Sequence, residues 1–191
     1  MDVTRYRTIV ADPPWIYPGG FKQSVATSRT ERSTPGTLMR REMPFQGMTL
    51  EEICALPVGD LADKAGCRCF LWTTNGFLRD AFDVLSAWGF QYGQTLVWHK
   101  LNPSPWPTSV APNSAEFILV GSVGHPGRGD TWPTAVISAS VPKGHSRKPE
   151  CFLDLIEQVS PGPYLELFAR RSRLGWHVWG NEVDSHVEML A

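Results

Sequence analysis

The stretch "TIVADPPWIYPGG", residues 8–20, begins as a short apolar run, then meets an aspartate, two prolines and a tryptophan and loses all periodicity. The β-branched run reads as a buried strand, and the prolines end it. Each proline confines the residue before it to extended conformations, so Asp12 and Pro13 are both stiffened. The Asp12 carboxylate and the Pro13 carbonyl become two acceptors in fixed relation at the strand's end. Such a pair suits an exocyclic amino group, which offers two N–H donors. The amino nitrogen of adenine is a weak nucleophile because its lone pair is delocalised into the ring. Accepting both hydrogens lets that nitrogen move towards tetrahedral geometry and stabilises the positive charge that grows as it attacks. Trp15 adds a flat face on which an extruded base can stack. A turn with a packed tryptophan is the plainer alternative.

Outward from this strand, runs rich in β-branched and aromatic residues recur at 68–73, 94–99, 116–121, 135–140 and 164–169, with a short one at 176–180. Several are almost continuously apolar, as strands covered on both faces are. Helical signals lie between them. Thr49 and Glu52 form a capping-box pattern before "LEEICAL". Phe77, Ala81, Leu85 and Trp88 share a helical face that Gly89 is placed to end. Pro149 suits a first helical position, followed by a face of Phe152, Ile156 and Val159. Strands alternating with helices predict an α/β domain with a mostly parallel sheet flanked by helices, one domain over residues 1–191. Segments 16–47 and 101–113 resist the pattern. Both follow expected strands, and ligands in open α/β sheets bind beyond the carboxyl ends of strands, so both are expected to be mobile substrate-binding loops.

The 191 residues are enough for one substantial core, and 42% hydrophobic with 19% charged residues is ordinary for a globular protein. A formal charge of −1 excludes global basicity, but the charge is uneven. Between Ile16 and Gly47, Lys22, Arg29, Arg32, Arg40 and Arg41 face only Glu31 and Glu42, an excess of three positive charges. Cys54, Cys67, Cys69 and Cys151 form no pair of CxxC elements and have no histidine cluster beside them, which argues against a metal site. The N-terminus lacks the apolar core of a signal peptide, and no apolar stretch approaches membrane-spanning length. A cytoplasmic protein with reduced thiols is expected.

A second site is legible near the C-terminus. Lys148 stands at the start of the helix opened by Pro149, where free N–H groups and the helix dipole favour an anion such as a carboxylate. Glu166 sits inside the apolar run "YLELFA", where a carboxylate is costly to bury without a ligand or cation to satisfy it. Arg170 follows that run, and Asn181 with Glu182 follows the last strand.

The combination of "ADPPW", "RKPECFLDLIEQVSPGPYLELFARRSRLGW" and "WGNE" resembles the MT-A70 family of adenine N6-methyltransferases. The likeness extends over nearly the whole chain, with "LWTTN", "LVWHKLN" and "EFILVG" in the family's order. It implies a Rossmann-like class I methyltransferase fold, with the catalytic motif ahead of the cofactor half, and S-adenosylmethionine as cofactor. Position by position, it implies that Asp12, Pro13, Pro14 and Trp15 are catalytic. Asp12, Lys148, Glu166, Phe168, Arg170, Asn181 and Glu182 fall on cofactor contacts, Lys148 for the methionine carboxylate. Trp15, Trp72, Trp98 and Glu116 fall on the adenosine pocket, although aromatics in strands are usually core residues. To these the basic segment adds Arg29, Arg32, Arg40 and Arg41 as expected nucleic-acid contacts. The chain departs from the family at Glu182, where Gln is common, and at Arg171, Ser172 and Arg173, which replace a Pro-His-Asn-like run. Larger members carry a strand ahead of the motif that touches the cofactor adenine; here that contact is expected to be absent or to come from Asp2–Arg5.

The expected activity is direct methyl transfer to the adenine amino group in nucleic acid, DNA favoured over RNA. Cytosine N4 methylation is the chemically similar alternative, but related cytosine enzymes tend to carry Ser for the Asp and Tyr for the Trp. A non-catalytic nucleic-acid-binding partner with the same fold would show a broken "DPPW" or lack the lysine. Target reading falls to the two loops or a partner subunit; a homodimer or a partner subunit is the expected protein partner.

Overall fold

The first strand, β1 (Thr8–Ala11), is buried at every residue because it has strands on both sides and helices above and below. It pairs in parallel with β2 (Gly66–Thr73) and with β6 (Tyr164–Leu167). In this computed structural model, residues 4–16, 47–103, 110–127, 131–132, 134–143 and 147–189 are described. The other strands are β3 (Gln91–Lys100), β4 (Ala115–Gly124), β5 (Val136–Ala139) and β7 (Trp176–Trp179). They form a seven-stranded sheet ordered β5-β3-β4-β2-β1-β6-β7. Four neighbour pairs are parallel; β4 runs antiparallel to both β2 and β3.

Period-two alternation divides the side chains of these strands between two cores. Ile9, Ala11, Cys67, Cys69, Leu71, Leu119, Leu165 and Leu167 face α1 (Leu50–Ala55), α2 (Val58–Leu61) and α3 (Leu78–Ala87). Val10, Phe70, Trp72, Leu96, Trp98 and Ile118 face α4 (Cys151–Val159). The C-terminal segment then folds back on β7, where His186 N–H donates to Val178 O (2.8 Å) and Val178 N–H to His186 Nδ1 (3.2 Å).

Local chemistry explains the helix ends. Thr49 and Glu52 form the expected reciprocal cap of α1, with Thr49 N–H to Glu52 Oε2 at 2.7 Å and Glu52 N–H to Thr49 Oγ1 at 3.2 Å. The α3 helix ends in a Schellman turn: Gly89 adopts φ +81°, and the N–H groups of Phe90 and Gly89 reach Leu85 O and Ser86 O. At α4 the sequence places Pro149 in the first helical turn, but the regular helix begins at Cys151. Phe152 and Leu153 bond three residues back, to Pro149 O and Glu150 O, so the entry is a tighter turn than an α-helix. No helix among the described residues is long and apolar enough to cross a membrane.

Candidate active site

Strand parity aims the motif. Asp12 follows β1 with the parity of Val10, so its carboxylate points to the α4 side of the sheet. Register carries Glu166 to the same side, opposite Val10. Trp72 lies opposite Ile118, and Trp98 opposite Glu116, which is two residues before Ile118 on β4. Five residues distant in sequence therefore share one face. All stand near the carboxyl ends of β1, β2, β3 and β6, where the antiparallel β4 begins.

Beyond these ends opens a cleft of about 690 Å³, including its mouth, lined in part by Asp12, Trp72, Lys148, Phe152, Glu166, Phe168 and Arg170. Lys148 Nζ donates to Asp12 Oδ2 at 2.6 Å, lies 3.5 Å from Glu116 Oε2 and sits 5.2 Å above the Trp72 ring. Glu116 also pairs with Lys100 at 2.7 Å, so Asp12, Lys148, Glu116 and Lys100 form a chain of alternating charge. Burial raises the Asp12 pKa, and Lys148 offsets only part of that rise. For Lys148, burial favours the neutral amine, but Asp12 and Glu116 together outweigh it and the pKa is raised. The lysine stays charged.

Glu166 differs. Its Oε2 is buried with no hydrogen-bond partner among the described residues. Burial, with a smaller contribution from the Asp12 charge, pushes its pKa up to about 7. Next along the chain, Phe168 adopts φ +61°, a strained conformation for a bulky side chain. The turn it makes sends Ala169 N–H to Trp179 O (2.9 Å) and sets the Phe168 ring edge-on to Trp179. A left-handed phenylalanine on a cleft wall marks a position that the surroundings over-determine.

The motif is a tight turn. Trp15 N–H donates to Pro13 O (2.9 Å), closing a three-residue turn centred on Pro14, and Met48 N–H donates to Pro14 O (2.9 Å). A carbonyl oxygen has two lone pairs, so Pro13 O keeps one acceptor site. The expectation of an open Trp15 face requires correction. The turn at Pro14 sends Trp15 to the other side of the sheet from Asp12; Trp15 is 6% exposed, its ring stacked on Phe77 at 5.1 Å in the α1–α3 core. Trp98 is likewise a core residue, 1% exposed, its indole N–H satisfied by Ala139 O at 3.0 Å. Asn181 and Glu182 are exposed, and Glu182 reaches the site only through Arg170, to which it pairs at 3.0 Å. Thr4 and Arg5 are exposed, while Asp2 lies outside the described residues. So do Arg29, Arg32, Arg40 and Arg41.

Lys100 and Arg147 escape the sequence reading, and Arg171 enters it only as a departure from the family. Lys100 lies two residues beyond Trp98 on the same face of β3, a signal that appears only once β3 is paired with β4. Arg147 and Arg171 line the cleft mouth.

The pattern of the MT-A70 family matches residues 6–182. A Type II methyltransferase, M.MunI of Mycoplasma sp, is 30% identical over 97% of this chain and 81% of its own length. The N(6)-adenosine-methyltransferase MT-A70-like protein of Drosophila melanogaster is 25% identical over 94% of this chain and 27% of its own length. The human N(6)-adenosine-methyltransferase catalytic subunit METTL3 is 26% identical, with 94% and 28% covered. The chain thus spans about a quarter of the length of these two and most of the bacterial protein. With the family pattern running from before β1 to beyond β7, this chain belongs to the MT-A70 family.

Proposed function

We propose that this protein is a methyltransferase that moves a methyl group from S-adenosylmethionine to the N6 amino group of adenine in nucleic acid. The observation that carries the reading is Asp12: a strand-terminal carboxylate held at the cleft by Lys148, directly before a Pro-Pro turn. Near-full-length likeness to a Type II methyltransferase, against partial likeness to adenosine methyltransferases, supports DNA over RNA. We read residues 1–191 as one methyltransferase domain. Four unpaired cysteines suit a reducing cytoplasm.

The cleft residues fit the cofactor. Lys148 offers a cation to a carboxylate, the orphaned Glu166 oxygen offers an acceptor to an ammonium or hydroxyl, and Phe168 and Arg170 complete the wall. When bound, S-adenosylmethionine supplies an electrophilic methyl group. The protein's own part is positioning and electrostatics. Asp12 Oδ2 is engaged by Lys148, leaving Oδ1 for one amino hydrogen, while the spare lone pair of Pro13 O takes the other. Lys148 favours the ionised form of Asp12, which the attacking nitrogen needs as its positive charge grows. Trp15, locked against Phe77, holds the turn that aims both acceptors. Arg29, Arg32, Arg40 and Arg41 are assigned to phosphates, and target reading to the segments 16–47 and 101–113 or to a partner subunit; a homodimer or a partner subunit is the protein partner in this reading.

Transfer of labelled methyl groups into DNA and RNA, followed by nucleoside analysis, tests the reading. Label in N6-methyladenine is expected, and its absence from both substrates sinks the proposal. Asp12→Asn should lower turnover about 100- to 1,000-fold, the usual loss for one preorganised electrostatic group, while cofactor affinity stays close to wild type. Near-normal turnover in that variant would remove Asp12 from the chemistry.

A further inference from the structure

The β6 and β7 strands are parallel, with Tyr164 opposite Trp176 and Leu167 opposite Trp179, yet only residues 168–175 join them. A parallel pair ordinarily needs a connection of about a dozen residues or more, usually a helix packed on the sheet. Residues 168–175 contain no helix; Phe168 and Ala169 pack at its start, but from Arg170 to Gly175 no apolar side chain is buried and Leu174 is 100% exposed.

From Arg170 onward, arginine does the anchoring. Arg173 directs Nη2 to Asp154 Oδ1 at 2.7 Å, Nε to Glu157 Oε1 at 2.9 Å and Nη1 towards Glu150 Oε2 at 3.6 Å. Residues 150, 154 and 157 are spaced to share one face of α4 and its entry turn. Glu157 Oε1 also accepts the Trp176 indole N–H at 2.6 Å, and Arg171 pairs with Glu150. Bonds from Arg173 hold the Glu157 carboxyl below its usual range. A single exposed ion pair contributes little, but a guanidinium fork bonded to two carboxylates, one shared with an indole, is a network of charge-assisted bonds.

The network joins two walls of the cleft. Lys148, Pro149, Phe152 and Leu153 line it from the α4 side, whereas Phe168, Arg170 and Arg171 line it from the connection. We propose that Arg173 is a positioning residue of the cofactor cleft: by gripping the acidic face of α4 it sets the spacing between these walls. The cofactor's part of this inference rests on the reading above; the grip itself does not.

Hydrogen exchange of the free protein and calorimetry with S-adenosylhomocysteine test it together. In Arg173→Ala, amides of residues 169–174 should exchange faster while β1 and β2 keep their protection. If the wall is then in place about a tenth of the time, affinity falls about tenfold. Arg173→Lys should recover part of both. The double variant Asp154→Asn, Glu157→Gln should reproduce the loss with the arginine intact. Unchanged exchange at 169–174 overturns the grip; faster exchange with unchanged affinity overturns its link to the cleft. Equal loss of protection across the sheet in both the alanine and the double variant would make Arg173 a residue of global stability and overturn the positioning role. If the wild type binds no S-adenosylhomocysteine, the functional reading fails, and exchange still decides whether Arg173 holds the wall.

Discussion

Glu166 keeps its proton up to about pH 7 because burial and the neighbouring Asp12 charge both disfavour the carboxylate. In the unfolded chain the same group ionises near 4.5. Between those values the folded state binds the extra proton, so stability falls as pH rises across the window. Each unit of separation is worth about 1.4 kcal/mol, and the deficit approaches about 3 kcal/mol above pH 7. Glu166→Gln should therefore melt with the wild type below about pH 4.5 and several degrees above it at pH 8. A difference that does not vary with pH would mean that the carboxyl is not the cause. Lys148 shows the limit of sequence reading at this scale. Its place at a helix entry was legible, as was Asp12 at a strand end. Their bond spans 136 residues and no local pattern encodes it.

Among the elements, all seven strands were legible because β-branched and aromatic runs between breakers carry a strong local signal. Strand direction was not, since an apolar run reads the same in either sense; the antiparallel β4 appears only in the register. The four-residue α2 carried too little periodicity to register. Trp15 was misread for a related reason: the turn beyond the strand's end sends it into the α1–α3 core, which "DPPW" by itself does not reveal. The glycine of "WGNE" has a specific structural demand. A Cβ at Gly180 would meet the Ala169 carbonyl and lie 2.8 Å from Ala169 N, both backbone atoms at the turn that places Phe168. Backbone cannot swing aside as a long side chain does. Gly180→Ala should cost about 1–3 kcal/mol, as overpacking does, read as a lower denaturation midpoint with an unchanged slope. An unshifted midpoint would show that the turn yields freely.

At the scale of the molecule, the question is how a chain with a net charge of −1 engages a polyanion. An excess of three positive charges lies in the segment between Ile16 and Gly47. Both ends of that segment are fixed at the motif: Trp15 bridges Met48, and Met48 N–H bonds to Pro14 O. Arg29, Arg32, Arg40 and Arg41 lie between those two ends in sequence and outside the described residues. If the segment served only to connect elements, its charge would be solvated and without effect on substrate. Phosphate contacts instead give affinity without sequence preference, and each lowers the slope of log affinity against log salt by about 0.9 on duplex DNA, or 0.7 on single strands. Arg40→Ala with Arg41→Ala should weaken nucleic-acid binding, flatten that slope and leave S-adenosylhomocysteine affinity unchanged. The preferred target sequence should change little, because phosphate contacts position rather than specify. Binding isotherms for the wild type and the double variant over several salt concentrations give both slopes. Coincident slopes would mean that these arginines do not touch the backbone, and the positive charge of this segment would need a different partner.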